Sequence, residues 1–245
     1  MVVERNNVER SRKPQSNFGK LPHAAKWAIV MFGATGLVAA AYALLSQPVF
    51  APARLVVFLV LAAVTARAKV TLYRETSLSF LTSVVLLAVI TDGPAVAVLV
   101  SIFGVTVQSF LPKRKLVLHQ AIFNWGMISV TVTATWWIHH ILAGVLPLAA
   151  ISGETTATVL ASFTYFLGNS VSVSLIVALS KGMSIFNVWC NHFMYSAPSF
   201  LIAGMLSLGI LAFTSSGSLV LIMAVISVIV LTYYCSVRLL AQTAA

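Results

Sequence analysis

Residues 76–125 read TSLSFLTSVVLLAVITDGPAVAVLVSIFGVTVQSFLPKRKLVLHQAIFNW. Two apolar runs meet at Asp92-Gly93-Pro94, and the second ends at Pro112 and Lys113-Arg114-Lys115 before a third run begins. Asp can cap a helix end, Gly supplies a positive φ, and Pro starts a helix but does not continue one, so 92–94 is a tight turn between two helices. A concentrated basic triplet between long uncharged runs marks a cytoplasmic loop of a polytopic membrane protein.

The rest of the chain repeats this pattern. Of its 245 residues 60% are hydrophobic and 8% charged, with a net charge of +10. The mean hydropathy of +0.99 excludes a water-soluble domain, which would have almost no polar surface to show to water. Basic loops beside membrane spans account for the net charge, so nucleic-acid binding is not expected. Cys190 and Cys235 form no CxxC pair, and His192 near Cys190 does not make a metal site. No cleavable leader is expected at the N-terminus, because its basic region is long and its first apolar run is long enough to span.

A helix crosses the hydrocarbon core with about twenty residues. The apolar runs predict an all-α polytopic membrane bundle with about eight transmembrane helices. They lie at 27–45, 53–66, 78–91, 95–111, 116–142, 155–179, 197–213 and 219–240. The domain organisation is a basic N-terminal segment over 1–26, a transmembrane domain over 27–240 and a short tail over 241–245.

Charge sets the expected orientation. With the N-terminus in the cytoplasm, the inner segments carry Arg5, Arg10, Arg12, Lys13, Lys20 and Lys26, then Arg67, Lys69 and Arg74. They also carry Lys113, Arg114, Lys115, Lys181 and Arg238, leaving only Arg54 outside, where it can snorkel. Both termini are therefore expected in the cytoplasm of a bacterium, with the chain in its inner membrane. Val70–Ser77 and Ser184–Ser196 look interfacial. The second is either a short surface helix or an early start to the seventh span.

Polar residues recur at helical spacing within the spans. Glu75, Ser79 and Thr82 share one face, as do Ser101 and Gln108. Gln120, Asn124, Thr131 and Thr135 form another stripe, and Thr158, Ser162, Tyr165, Asn169 and Ser172 a fourth. Such faces must point into the bundle. Interhelical packing is the simpler account, with Asn124 and Asn169 buried and hydrogen-bonded across helices. A small-ligand pocket is the sharper one, and its candidate binding residues are Glu75, Gln108, Gln120, Asn124, Tyr165 and Asn169.

No Asp, Glu, Lys or Arg stands in the middle of a span, so ion coupling has no candidate. His139 and His140 follow Trp136 and Trp137. Adjacent helical residues point about 100° apart, so the group suits an interfacial anchor better than a metal site. His119 is expected near lipid headgroups. There is no HExxH, GxSxG, phosphate loop or pair of carboxylates, so neither catalysis nor a cofactor or metal is expected.

Glu75-Thr76-Ser77-Leu78-Ser79-Phe80, Leu86-Leu87-Ala88, Gly93-Pro94, Ala97-Val98-Leu99-Val100, the basic loop and Phe123-Asn124 resemble the MASE-type membrane sensor regions. Those regions precede HD-GYP or GGDEF domains in bacterial signalling proteins. The layout is also similar to that of substrate-binding components of vitamin transporters. The first resemblance implies a non-enzymatic sensor or small-ligand-binding module. The second implies a subunit of an uptake transporter, and a structural subunit of a membrane complex is the third reading. Sensor regions of this type run on into a catalytic domain, whereas here Ala245 follows Leu240 closely. A stand-alone protein, a piece of a longer one, or signalling through a partner all fit. The expected partners are anionic lipid headgroups and a cytoplasmic signalling or energising protein, with a homo-oligomer left open.

Overall fold

The computed structural model describes residues 18–47, 51–66, 69–73, 76–110, 117–145 and 151–215. A 3-10 turn at Phe18–Lys20 leads into α1 (His23–Ser46), followed by α2 (Pro52–Thr65). A hairpin of β1 (Lys69–Tyr73) and β2 (Thr76–Ser79) comes next, then α3 (Phe80–Thr91), α4 (Gly93–Phe110), α5 (Leu118–Val145) and α6 (Ile151–Lys181). The short α7 (Ile185–Val188) passes through a π turn at Trp189–Phe193 and a 3-10 turn at Met194–Ser196 into α8 (Ala197–Ser215).

Helix termination follows the sequence chemistry. Pro52 starts α2, where its missing N–H is not needed. Gly93 has φ +81° between α3 and α4, as the turn reading requires. Gly182 has φ +66°, and the Met183 N–H reaches back 3.0 Å to the Ala178 carbonyl, closing the end of α6.

Among the described residues four helices, not eight, are long and apolar enough to cross a membrane. They are His23–Ser46, Leu118–Val145, Gly153–Lys181 and Ile185–Ala212. The last of these shows that 184–196 is an early start to the expected seventh span. The eighth expected run, 219–240, lies outside the described residues. The expected second, third and fourth spans are α2, α3 and α4, of 14, 12 and 18 residues. At 1.5 Å per residue these reach only about 21, 18 and 27 Å, short of a hydrocarbon core of about 30 Å.

The third falls short because its first residues belong to β2. The expected interfacial segment forms an antiparallel hairpin pairing Lys69 with Ser79, Val70 with Leu78, Thr71 with Ser77 and Tyr73 with Thr76. Non-helical backbone at membrane depth is tolerated only where protein covers it or water reaches it.

The short α3 forms the centre of the bundle. Nine of its twelve residues are buried, including Val85, Leu86 and Ala88, and it packs against α2, α4 and α8. Of the long helices, α5 and α8 pack on it. On α1, Trp27, Leu37, Val38 and Leu45 are exposed, as suits a helix facing lipid. Helix α1 crosses α5 where Gly36 meets Gly126 so closely that a Cβ on either would overlap the other helix's backbone. Without a hydrophobic drive in lipid, such close approach is what holds helices together.

Candidate functional site

A cavity of about 400 Å³ lies between α3, α4, α5, α6 and the start of α8. Its place follows from alternating helix direction. It is lined by Ser79, Leu81 and Thr82 at the head of α3, and by Val105, Gln108 and Ser109 near the foot of α4. Asn124, Met127 and Ile128 come from the early turns of α5, and Tyr165, Asn169, Ser170 and Val173 from the second half of α6. His192, Phe193, Ser196 and Phe200 complete it. All five elements present these parts at the end of the bundle that holds the β hairpin and Lys181.

Four of the six expected binding residues therefore converge: Gln108, Asn124, Tyr165 and Asn169. Gln120 is exposed and does not line the cavity. It sits one helical turn before Asn124, toward the open end. Glu75 lies outside the described residues. His192, Phe193, Ser196 and Phe200 carried no site signal in the sequence reading. Their near four-residue spacing marks a common helical face, but a π turn shifts the register across it.

The expectation that Asn124 and Asn169 are buried and bonded across helices is corrected. Both are half-buried, and no hydrogen bond joins the carboxamide of Gln108, Asn124 or Asn169 to another described residue. All three residues line the cavity. The physical reason is depth along the helix. Further along the same stripes the contacts are tight: a Cβ on Gly168 would lie 2.7 Å from Thr131 Oγ1, and one on Gly204 would overlap Ser162 Oγ. The Thr135 hydroxyl donates to the Thr131 carbonyl at 2.8 Å, and the Ser162 hydroxyl to that of Thr158 at 2.7 Å. The α5 and α6 stripes thus each have a packing part and a cavity part.

Other polar groups do bridge helices. Trp125 Nε1 donates to Thr106 Oγ1 at 2.8 Å, tying α5 to α4. The Ser207 hydroxyl donates to the Ser83 carbonyl at 2.8 Å, tying α8 to α3. Trp189 Nε1 donates to Ser170 Oγ at 3.0 Å and fixes the π turn beside the cavity. Tyr165 and Phe200 touch with ring centroids 5.8 Å apart, at 40°.

The described lining contains no Asp, Glu, Lys or Arg. Its polar groups are amides, hydroxyls and the exposed imidazole of His192, set among Leu81, Val105, Met127, Ile128, Phe193 and Phe200. An arrangement of convergent donors and acceptors beside apolar and aromatic side chains recognises small molecules.

The opposite end is built differently. His140 stacks on Trp136 at 5.0 Å and Trp137 on Tyr42 at 6.3 Å, as an interfacial cluster would. His139 departs from that expectation: it is only 8% exposed and turns inward. His119, expected at the headgroups, lies 5.4 Å from the ring of Phe18.

In comparison with known proteins, no family model, no curated protein and no solved structure matches this chain.

Proposed function

We propose that this protein is a membrane-embedded ligand-binding module that senses a small molecule reaching it from the cytoplasm. It has no catalytic activity of its own and passes its state to a cytoplasmic signalling partner. The observation that carries this reading is the set of three carboxamides, Gln108, Asn124 and Asn169, that converge on one cavity with no hydrogen-bond partner among the described residues. Interhelical packing would have paired them, because an amide at membrane depth is costly to leave unbonded.

The resemblance of residues 75–125 to MASE-type sensor regions supports a signalling role over transport. The charge bias supports a bacterial inner-membrane location with both termini cytoplasmic. On that orientation the cavity end faces the cytoplasm.

The test is ligand-linked stability. A ligand that binds only the folded state raises the melting temperature with its concentration. The purified full chain is heated with small-molecule fractions of a bacterial extract. A fraction that stabilises the wild type, but not the Asn124→Leu, Asn169→Leu double variant, is the expected result. If every fraction leaves the wild type unmoved, or shifts the variant equally, the ligand-binding reading fails.

A further inference from the structure

Beyond the existence of a ligand, the chemistry of the cavity walls specifies what kind. We propose that the occupant is an uncharged, planar, lactam-bearing heterocycle of two or three fused rings. Its amide edge lies on Gln108, Asn124 and Asn169, and its ring lies on Phe193 and Phe200. This inference rests on the ligand-binding reading above and narrows it.

Charge is decided by what the lining lacks. Its described residues include no Asp, Glu, Lys or Arg. An ionised ligand would give up its water with no carboxylate, ammonium or guanidinium among the described lining residues to meet it. A wholly apolar ligand fails for the opposite reason. It would cover three carboxamides and leave their donors and acceptors unpaired.

The carboxamides also fix the pattern of the polar edge. Each presents an N–H donor beside a C=O acceptor. The complement of that pair is another amide, and a lactam offers one in a rigid, coplanar form. Three amides from three different helices favour a ligand with more than one such edge. The shape follows from the remaining wall. Phe193 and Phe200 from the π turn and α8 supply aromatic surface, and Tyr165 continues it through its contact with Phe200. Flat rings stack on such surface at low cost. The volume of about 400 Å³ sits at the low end for small-molecule sites, which suits two or three fused rings.

The test uses three probes of nearly equal size on the full chain in lipid nanodiscs: 4-quinazolinone, naphthalene and 2-naphthoate. They share a bicyclic frame and differ in lactam edge and charge. Binding is read by tryptophan fluorescence, because Trp189 is bonded to the cavity residue Ser170, and is corrected against empty nanodiscs. The expected result is that 4-quinazolinone binds at least tenfold tighter than either other probe. That preference should vanish in Asn124→Leu, Asn169→Leu, and separately in Gln108→Leu, while naphthalene binding holds or improves. The Gln108→Leu arm covers the case in which the double variant does not fold. Equal or tighter binding of naphthalene or 2-naphthoate overturns the ligand class and leaves the ligand-binding reading standing. Failure of all three probes also overturns the class, and the extract experiment then decides the broader reading independently.

Discussion

Asp92, at the turn between α3 and α4, holds the Arg54 guanidinium of α2 at 3.1 Å while its own side chain is only 6% exposed. The same turn is gripped from α1. Gln47 Nε2 donates to the Asp92 carbonyl, and Gln47 Oε1 accepts from the Ala95 N–H at 3.2 Å. Thr91 Oγ1 adds a 2.6 Å bond to the carboxylate. Four helices are thereby pinned at the end opposite the cavity.

The two partners of this ion pair should respond unequally. Arg54 is mostly exposed, so its loss leaves little uncompensated. Arg54→Ala is expected to cost about 1 kcal/mol or less. Asp92→Ala removes the acceptor of both Arg54 and Thr91 from a buried position and should cost about 1–3 kcal/mol. Denaturation in mild detergent measures both. Equal losses would mean that the pair, rather than burial of the carboxylate, sets the effect.

The α1–α5 crossing gives a second contrast. A Cβ on Gly126 would overlap the Phe32 carbonyl, whereas one on Gly144 meets nothing within 4 Å. Gly126→Ala should force α1 away from α5, at about 1–3 kcal/mol. Gly144→Ala, exposed and further along the same helix, should be neutral or slightly stabilising, since Ala is the better helix former. A melting temperature lowered as much by Gly144→Ala as by Gly126→Ala would remove the close crossing from the account.

Orientation can be read from one helix. Glu154 and Lys181 stand near opposite ends of α6, about 40 Å apart at 1.5 Å per residue. In a Cys190→Ser, Cys235→Ser background, Glu154→Cys should react with an impermeant thiol reagent applied to intact cells. Lys181→Cys should react only after lysis. The reverse order would place the cavity end outside and end the proposal of a cytoplasmic ligand.

Much of this architecture was readable from residue chemistry. Asp92-Gly93-Pro94 fixed the α3–α4 turn, and its glycine takes the positive φ that the reading required. The apolar runs located the helices. The run at 78–91 misled because hydropathy counts residues without regard to backbone geometry. Val70, Thr71 and Thr76 are β-favouring residues, but Tyr73, Arg74 and Glu75 beside them made the segment look interfacial. The candidate site was half legible for a related reason. Helical spacing fixes which face a residue occupies, but not which neighbour it meets along the axis. Thr158 and Asn169 share a face yet stand about 16 Å apart along α6. One packs in the crossing with α8 beside Gly204, and the other lines the cavity.

That division yields a prediction in which packing and binding have opposite signatures. Were Asn124 and Asn169 interhelical glue, replacing either with Leu would cost about 0.6 kcal/mol or more. The structure instead gives these amides no described partner to lose. A Leu of similar volume also suits the neighbouring Met127, Ile128 and Val173. Each single substitution should therefore leave the ligand-free protein within about 0.5 kcal/mol of the wild type, or stabilise it slightly, by removing a polar group that wants water. Thr135→Val, at a fully buried position in the packing half of the α5 stripe, is the internal comparison. Its hydroxyl is bonded to the Thr131 carbonyl within its own helix, so its loss should cost little and leave the cavity untouched. Binding separates the two positions. Asn124→Leu should weaken any ligand bound in the cavity at least tenfold, while Thr135→Val should leave it unchanged. Unfolding curves for the ligand-free variants, followed by ligand-induced shifts on the same samples, give both readings. A loss of 2 kcal/mol or more for the ligand-free Asn124→Leu protein would return that residue to a packing role and remove it from the site.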